Sequence, residues 1–172
     1  MPLWPWMERT FSFDFPVTKF PDLLERVRGT PARVEEMVRG VPSSNLTRRQ
    51  NNQGWSIQEN IGHLLDLGYL PMQRLDEILA GNPILVAADM SNRKTHEADH
   101  NQKKIETLLS TFRRDRAELV ARFESLPQSD WGKSSHHPRL KKPMRVVDIA
   151  YFDSEHDDYH VARMRESLKA FA

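Results

Sequence analysis

The stretch WSIQENIGHLLDL at positions 55–67 contains the clearest helix start in the chain. Ser56 and Glu59 are spaced as a capping box, in which the Ser56 hydroxyl accepts a hydrogen bond from the Glu59 amide and the Glu59 carboxylate accepts one from the Ser56 amide. The apolar residues that follow recur at helical spacing: Ile57, Ile61, Leu64, Leu65, Met72, Leu75 and Leu79. We therefore predict a helix from Ser56 to just before Gly81, bent at Pro71 because proline lacks an amide hydrogen.

Three other segments show the same helical periodicity, at about 20–39, 101–126 and 145–170. In the first of them we interpret Thr30 as a cap and Pro31 as a first helical residue, so that the helix kinks or restarts there. No segment shows sustained alternation of polar and apolar residues, and we predict no β-strand. The chain is therefore expected to be all-α, a four-helix bundle with long inter-helix connections.

The remaining organisation of the chain is simple. We expect residues 1–172 to form a single domain, with residues 1–19 as an irregular arm because prolines are spread among its aromatic residues. No apolar run approaches the roughly 20 residues that cross a bilayer. The first residues do not resemble a secretory signal. We therefore expect a cytoplasmic protein with no membrane partner.

Composition narrows the possible chemistry. The 25 basic and 24 acidic residues give a net charge of +1, which disfavours nucleic acid as a partner because phosphate neutralisation needs an excess of Lys and Arg. The chain has no cysteine, which excludes disulfides, cysteine-ligated zinc and thiol nucleophiles and is compatible with a reducing compartment. A metal ion would need His, Asp or Glu ligands, and the chain has seven histidines.

Two histidines on the last predicted helix are candidate metal ligands. His156 and His160 are four residues apart, which places both imidazoles on one helix face at a spacing that suits a single metal ion. The alternative is a pair of ordinary histidines that hydrogen-bond to carboxylates. The pair alone does not identify a third ligand.

Other histidines and basic residues are weaker candidates. His96 and His100 have the same spacing but no obvious third ligand. His136 and His137 are interpreted as surface residues, with a position at the mouth of the site as the alternative. The basic segment 139–145 is interpreted as a solvated loop, with contact to an anionic group of a substrate as the alternative.

Two motifs together resemble a known family. Residues 55–67 resemble the W-S-x-x-E-x-x-x-H-L-x-D signature of the DinB/YfiT-like metalloprotein superfamily, and Glu155, His156 and His160 resemble its closing E-H-x-x-x-H. Further similar positions are His137-Pro138, Pro143-Met144 and 98–101, and the resemblance extends from about Pro21 to Phe171.

The resemblance implies a four-helix bundle of DinB/YfiT-like topology, which is not simply up-and-down, and often a homodimer. It implies one divalent metal ion, such as Zn, Ni or Fe, held by His63, His156 and His160. Characterised relatives include thiol S-transferases that use low-molecular-weight thiols and a thiol-dependent isomerase. The family is named for induction by DNA damage in one lineage, which is not evidence of DNA binding. We therefore predict a metal-dependent thiol S-transferase or hydrolase that acts on a small molecule, with a non-catalytic metal-binding bundle (sensing, storage or a relic site) as the alternative.

The surroundings of the three histidines give further expectations. Glu59 is a candidate outer partner of a ligand histidine, although its capping role explains it equally well. Asp153 and Glu155 are similar candidates, whereas Asp157 is predicted to face solvent. His63 lies opposite the apolar stripe of its helix, so we expect this helix to be buried on both sides. An enzyme would also need a cleft of several hundred cubic ångströms at the metal.

Overall fold

The predicted helical bundle is present in the computed structural model, which describes residues 3–50 and 54–171. The helices in these ranges are α1 (Phe20–Val38), α2 (Ser43–Leu46), α3 (Ile57–Asp66), α4 (Tyr69–Leu79), α5 (Arg93–Glu97), α6 (Ile105–Glu124) and α7 (Val146–Phe171), and the strands are β1 (Ser134–His137) and β2 (Lys142–Arg145). Helix α1 packs against α6 and α7, α3 packs against the same two helices, and α4 packs against α7. The four predicted helical segments are therefore confirmed as the layers of the bundle.

Two buried apolar clusters hold these layers together. The first joins α1, α4, α6 and the start of α7, and its largest buried side chains include Phe20, Phe123 and Leu75. The second joins the end of α1 to α3, α6 and the last turns of α7. It includes Ile57 and Phe112. The histidine-bearing parts of α3 and α7 are therefore fixed by core packing on the sides that face away from the site.

Neither of the two prolines inside the predicted helices has the effect that the sequence predicts. The predicted second helix is two helices, α3 and α4, and the break lies at Leu67-Gly68 rather than at Pro71. Pro71 occupies the first turn of α4, where a backbone amide has no helical partner, so the predicted bend at Pro71 is wrong. Helix α1 runs without interruption through Pro31, and Thr30 donates its hydroxyl to the Arg26 carbonyl instead of capping a new helix.

The prediction of no strand is also wrong. Strands β1 and β2 form an antiparallel hairpin, in which Ser135 pairs with Met144 and His137 with Lys142. Each strand has four residues and β1 is the polar run SSHH, so there was no sustained apolar alternation to detect. The amide of Leu85 donates to the His136 carbonyl (3.0 Å), which fastens the connection after α4 to this hairpin.

The expectation that the helix of His63 is buried on both sides is confirmed for α3. Nine of its ten residues are buried, and the exception is Leu65. One face packs on α6 through the second apolar cluster, and the other carries His63.

The ring of His100 packs directly on the α3 backbone at Gly62. A Cβ atom at position 62 would lie 2.2 Å from Cγ of His100.

The arm crosses α7 near the histidine pair. Its described part contains two short 3₁₀ turns, Trp6–Glu8 and Val17–Lys19, and Phe11 is buried. The Trp6 ring packs edge-on against His156 at a centroid distance of 5.0 Å. The first two residues of the predicted arm lie outside the described residues. Within the described residues, no helix combines the length and the apolar character that a membrane crossing requires.

Candidate metal centre

Helices α3 and α7 bring the three predicted ligands together. His63 lies in α3, and His156 and His160 lie one turn apart in α7, with ring centroids 5.3, 4.7 and 4.6 Å apart. One ring nitrogen of each residue lies within 4.8 Å of the others. The Nε2 atoms of His156 and His160 are 3.2 Å apart. Nitrogens that share a tetrahedral metal at about 2.1 Å lie roughly 3.4 Å from one another, so this spacing suits shared ligation.

The outer hydrogen bonds leave Nε2 of His160 free to bind a metal. Nδ1 of His160 lies 2.8 Å from Oδ1 of Asn60, and the Asn60 side-chain amide donates to the carbonyls of Ser56 (2.7 Å) and Trp55 (3.3 Å). Asn60 therefore presents its oxygen to the ring, and Nδ1 of His160 must be the protonated nitrogen. This tautomer directs the lone pair of Nε2 towards the other two histidines.

His63 is oriented by a hydroxyl group. Its Nδ1 lies 3.1 Å from Oγ1 of Thr95. Asp66 lies nearby, where burial opposes its ionisation but the hydrogen bond from His100 holds its pKa below the usual value. With its proton on Nδ1, the His63 ring donates to the Thr95 hydroxyl oxygen, and this is the tautomer that a metal bound at Nε2 requires. The free nitrogen of His63 is therefore also Nε2.

The three rings are neutral at ordinary pH. Burial lowers the pKa of His63 to about 4 and lowers the pKa values of His156 and His160 well below their usual range. Neutral imidazole is the form that binds metals, so no proton must be displaced near pH 7. The donor type, the protonation state and the spacing together fit one divalent cation with at least one open coordination position.

The outer partners differ from those expected from the sequence. The Glu59 carboxylate accepts from the Ser56 amide (2.8 Å), completing the capping box, and from Arg49. It makes no hydrogen bond with any of the three imidazoles among the described residues. Of its two expected roles, the structure therefore supports helix capping and not contact with a ligand histidine. Asn60 and Thr95 make the outer contacts with the histidine rings that we had expected carboxylates to make. Asn60 lies inside the helix motif, whereas Thr95 reaches the site from α5 and only the tertiary structure identifies it.

The acidic residues beside the histidine pair bind arginines instead. Asp157, predicted to face solvent, is fully buried and accepts from Nη2 of Arg116 at 2.6 Å, so this prediction is wrong. Asp153 accepts from the same guanidinium, and Glu155 accepts from Arg26 at 2.9 Å. The cause is a tertiary contact, since the Arg116 side chain reaches Asp157 from α6. Burial raises the pKa of Asp157 to about 7 and also raises that of Asp153.

The second histidine pair forms no metal site in the described residues. His96 is exposed, whereas His100 is buried with Nε2 2.7 Å from Oδ2 of Asp66. These two residues do not converge with a third ligand. His100 instead links the turn before α6 to the end of α3.

A cavity of about 620 Å³ opens onto the three histidines, and we call it the central cavity. Its wall is largely aromatic near the rings, formed by Trp6, Trp55, Phe152 and Tyr159. Trp55 packs on His63 at a centroid distance of 4.4 Å. His137 also lines the cavity and is only 2% exposed, so its interpretation as a surface residue is wrong. A cleft of the size that small-molecule sites require is therefore present.

Comparison with known proteins agrees with the fold. YfiT from Bacillus subtilis, described as a probable metal-dependent hydrolase with an unusual four-helix bundle topology, superposes with a TM-score of 0.81 at 15% identity over 95% of this chain and 94% of YfiT. A mycothiol-dependent maleylpyruvate isomerase gives 0.68 at 12% identity, covering 91% of this chain and 63% of the isomerase. A Streptococcus pneumoniae protein gives 0.66 at 11% identity, covering 94% and 93%. At these identities the similarity shows the fold alone.

Sequence comparison identifies the family. No curated protein matches the chain in sequence. Residues 26–164, by contrast, match the profile of the DinB superfamily, and this range includes His63, His156 and His160. The match spans most of the chain and agrees with the bundle and with the motifs in α3 and α7. The chain belongs to the DinB superfamily.

Proposed function

We propose that the chain binds one divalent metal ion through His63, His156 and His160 and acts as an enzyme on a small molecule in the central cavity. The single observation that carries this proposal is the convergence of three neutral imidazoles, within 4.8 Å of one another, at the wall of a cavity of about 620 Å³. A purely structural site would have no need of such access. The non-catalytic alternative is therefore less well supported.

The surrounding residues favour thiol transfer over hydrolysis. When bound, a divalent ion supplies Lewis acidity that lowers the pKa of a water or thiol at its open position. The acidic side chains that line the cavity are already engaged, Asp153 by Arg116 and Asp89 by Ser91. Without a free carboxylate as general base, a thiol with a pKa near 8.5 ionises far more readily than water does. We therefore propose a low-molecular-weight thiol as cosubstrate and a small electrophile as its acceptor.

The aromatic wall has a role in this proposal. Trp6 and Trp55 pack on His156 and His63, respectively, and exclude water from one side of each ring. Tyr159 packs edge-on against His160 at 5.0 Å. These contacts restrict the imidazoles to the orientations in which their Nε2 atoms converge, and they offer apolar surface to a substrate.

The experiment that tests the proposal measures thiol consumption by the purified protein. N-acetylcysteine is mixed with 1-chloro-2,4-dinitrobenzene, before and after chelation and after readdition of zinc, nickel or iron. We expect turnover that a chelator abolishes and a metal restores, and that is lost in His160→Ala but kept in His96→Ala. Turnover that is unaffected by chelator and by His160→Ala would contradict the proposal, and metal-dependent cleavage of p-nitrophenyl acetate without thiol transfer would favour a hydrolase.

Three further statements remain predictions from the sequence. They are a single domain over residues 1–172, homodimer formation and a cytoplasmic location. The superfamily resemblance supports the dimer. Sedimentation of the purified protein tests it directly.

A further inference from the structure

Arg139 lies at the wall of the central cavity without any acceptor for its charge. No hydrogen bond or salt bridge of its guanidinium exists among the described residues, and its Nη2 atom is buried without a partner. The group lies over the rings of Trp6 and Phe152, with Cζ 5.7 and 5.6 Å from their centroids. Burial lowers the pKa of Arg139, and no acidic group offsets that effect. A partly buried guanidinium without a hydrogen-bond acceptor is energetically unfavourable unless a ligand supplies that acceptor.

Arg74 and His137 add donors to the same wall. Arg74 is 5% exposed and uses Nε and Nη2 to donate to the Val86 carbonyl, which leaves Nη1 without a hydrogen bond in the described part of the chain. Nδ1 of His137 accepts from the Leu140 amide at 3.2 Å, so the neutral ring carries its proton on Nε2. That Nε2 is buried and, among the residues that the structure describes, has no partner.

These three side chains come from different elements and meet beside the metal ligands. Arg74 belongs to α4, His137 to β1, and Arg139 to the turn of the hairpin. All three side chains line the central cavity, and burial together with the charges of Arg74 and Arg139 lowers the pKa of His137 to about 3. We call these three residues the anion pocket.

We propose that the anion pocket binds the carboxylate of a small organic acid, so that the substrate of the central cavity is a carboxylate with an apolar body. The inference deepens the proposed function and rests on it, because the pocket matters only if the cavity takes a small molecule. Guanidinium groups provide the paired N–H donors that planar oxyanions need, and the neutral imidazole adds one more.

The charge balance favours a singly charged group over a phosphate. The buried guanidinium of Arg116 is shared by Asp153 and Asp157, so this group is neutral when Asp157 is protonated and carries one negative charge when both carboxylates are ionised. Arg74 and Arg139 bring two positive charges, and neither forms a salt bridge within the described ranges. The charge of Glu77 also acts on Arg74, so the cluster keeps no more than one uncompensated positive charge, which suits a carboxylate better than a phosphate. The aromatic side chains of the cavity supply the surface for the apolar body.

Calorimetric titration of the zinc-loaded protein with benzoate, benzamide and phenyl phosphate tests the inference. We expect benzoate to bind at least tenfold more tightly than benzamide, which has the same shape without the charge, since a hydrogen bond to a charged group accounts for about tenfold or more in affinity. We also expect benzoate to bind more tightly than phenyl phosphate. Binding of benzoate no tighter than benzamide would overturn the proposal, and tighter binding of phenyl phosphate would overturn the assignment to a carboxylate.

Two variants locate the bound carboxylate. Arg139→Met keeps the aliphatic stem, and Arg139→Lys keeps the charge but loses the paired donors. We expect about tenfold or greater weakening of benzoate binding in Arg139→Met, a smaller loss in Arg139→Lys, and none in Arg114→Met, which removes an exposed arginine elsewhere. Unchanged benzoate binding in Arg139→Met would overturn the proposal.

The same titrations after chelation separate this inference from the proposed function. Benzoate that binds the metal directly would lose its affinity on chelation and would show no difference between the wild type and Arg139→Met, which would also overturn the proposal. We expect the ratio of the benzoate affinities of the wild type and Arg139→Met to be the same with and without metal. Zinc content, measured separately, should be the same in the wild type and in Arg139→Met. If the anion pocket is wrong, zinc content is unaffected. If the metal site is wrong, the difference in benzoate affinity between the two proteins is unaffected.

Discussion

Neutral side chains orient the ligand histidines, and this choice affects the chemistry of the site. The Asn60 amide and the Thr95 hydroxyl accept from the Nδ1 atoms of His160 and His63. A direct carboxylate partner would add negative charge next to the imidazole and make it a stronger donor to the metal. With neutral partners, more of the positive charge of a bound metal would remain available to polarise the proposed thiol. The charge of Asp66 acts on His63 from nearby, without a hydrogen bond between the two side chains among the described residues.

The contact between Thr95 and His63 gives a test at the level of one atom. Thr95→Val keeps the shape of the side chain but removes the oxygen that accepts from Nδ1. We expect metal affinity to fall by about tenfold or more, as commonly seen when an outer partner of a ligand histidine is lost. Competition with a chromophoric chelator measures the affinity. Thr107→Val, at an exposed position of α6, should leave it unchanged, and equal affinities in all three proteins would contradict this role of Thr95.

Burial of His63 makes the metal-free protein sensitive to acid. The pKa of His63 is about 4 in the fold, against 6.5 for an exposed ring, so the unfolded chain takes up this proton first. The contribution of His63 to stability is therefore fully present above pH 6.5 and is lost as the pH falls towards 4. The difference of about 2.5 units corresponds to about 3 kcal/mol, at 1.36 kcal/mol per unit.

The comparison with His63→Asn isolates this effect. Asp157 titrates in the opposite sense, because its raised pKa makes stability fall as the pH rises through about 7, but it is present in both proteins. We expect the free energy of unfolding of metal-free wild type to fall relative to His63→Asn by about 2–3 kcal/mol between pH 7 and pH 4.5. Urea denaturation at each pH measures it. A difference that does not change with pH would contradict the lowered pKa.

At the scale of elements, the position of α3 depends on a glycine. The ring of His100 fills the space where a side chain at position 62 would lie, and Nε2 of His100 binds Asp66 at the end of the same helix. The turn before α6 therefore packs directly on the α3 backbone. This contact covers the face of α3 that lies away from the apolar cluster, at the residue directly before His63.

Gly62→Ala tests the close approach. The new Cβ would lie 2.2 Å from Cγ of a buried ring, so α3 or His100 must shift, and we expect a loss of about 1–3 kcal/mol in the free energy of unfolding. Gly29→Ala is the matched control, since Gly29 lies in α1 and a Cβ atom added there would have nothing within 4 Å. We expect Gly29→Ala to stabilise by about 0.5–1 kcal/mol because alanine favours helix. Thermal denaturation measures both, and an unchanged or raised Tm for Gly62→Ala would contradict the packing.

The elements differ in how far the sequence could predict them. Four periodic segments and one capping box were enough for the helices, because these signals are local. The break at Leu67-Gly68 was missed because the apolar stripe continues through it and no helix breaker stronger than Gly68 marks the position. The hairpin was missed because its strands are short and polar. It is held by pairing with a distant connection at Leu85, which no local pattern contains.

At the scale of the whole molecule, the sequence motifs named the residues of the histidine cluster but not its surroundings. His63 and the α7 pair are part of two motifs, and the structure brings them within 4.8 Å. Thr95 reaches His63, and Arg74 and Arg139 reach the central cavity, from three separate segments, so their roles depend on tertiary contacts. Asp157 shows the same limit, since its burial depends on Arg116 from another helix.

The metal would link two halves of the bundle, since His63 comes from α3 and the other two ligands come from α7. A ligand that binds only the folded state at 100 times its Kd stabilises it by about 2.7 kcal/mol, or roughly 5–10 °C in Tm for a chain of this size. We expect that rise when zinc is added to chelated wild type, followed calorimetrically, and its reversal by chelator. His96→Ala should show the full rise, because its ring lies outside the cluster, whereas His160→Ala should show little. An equal rise in His160→Ala would mean that zinc stabilises the protein from another place, and the link between α3 and α7 would then be wrong.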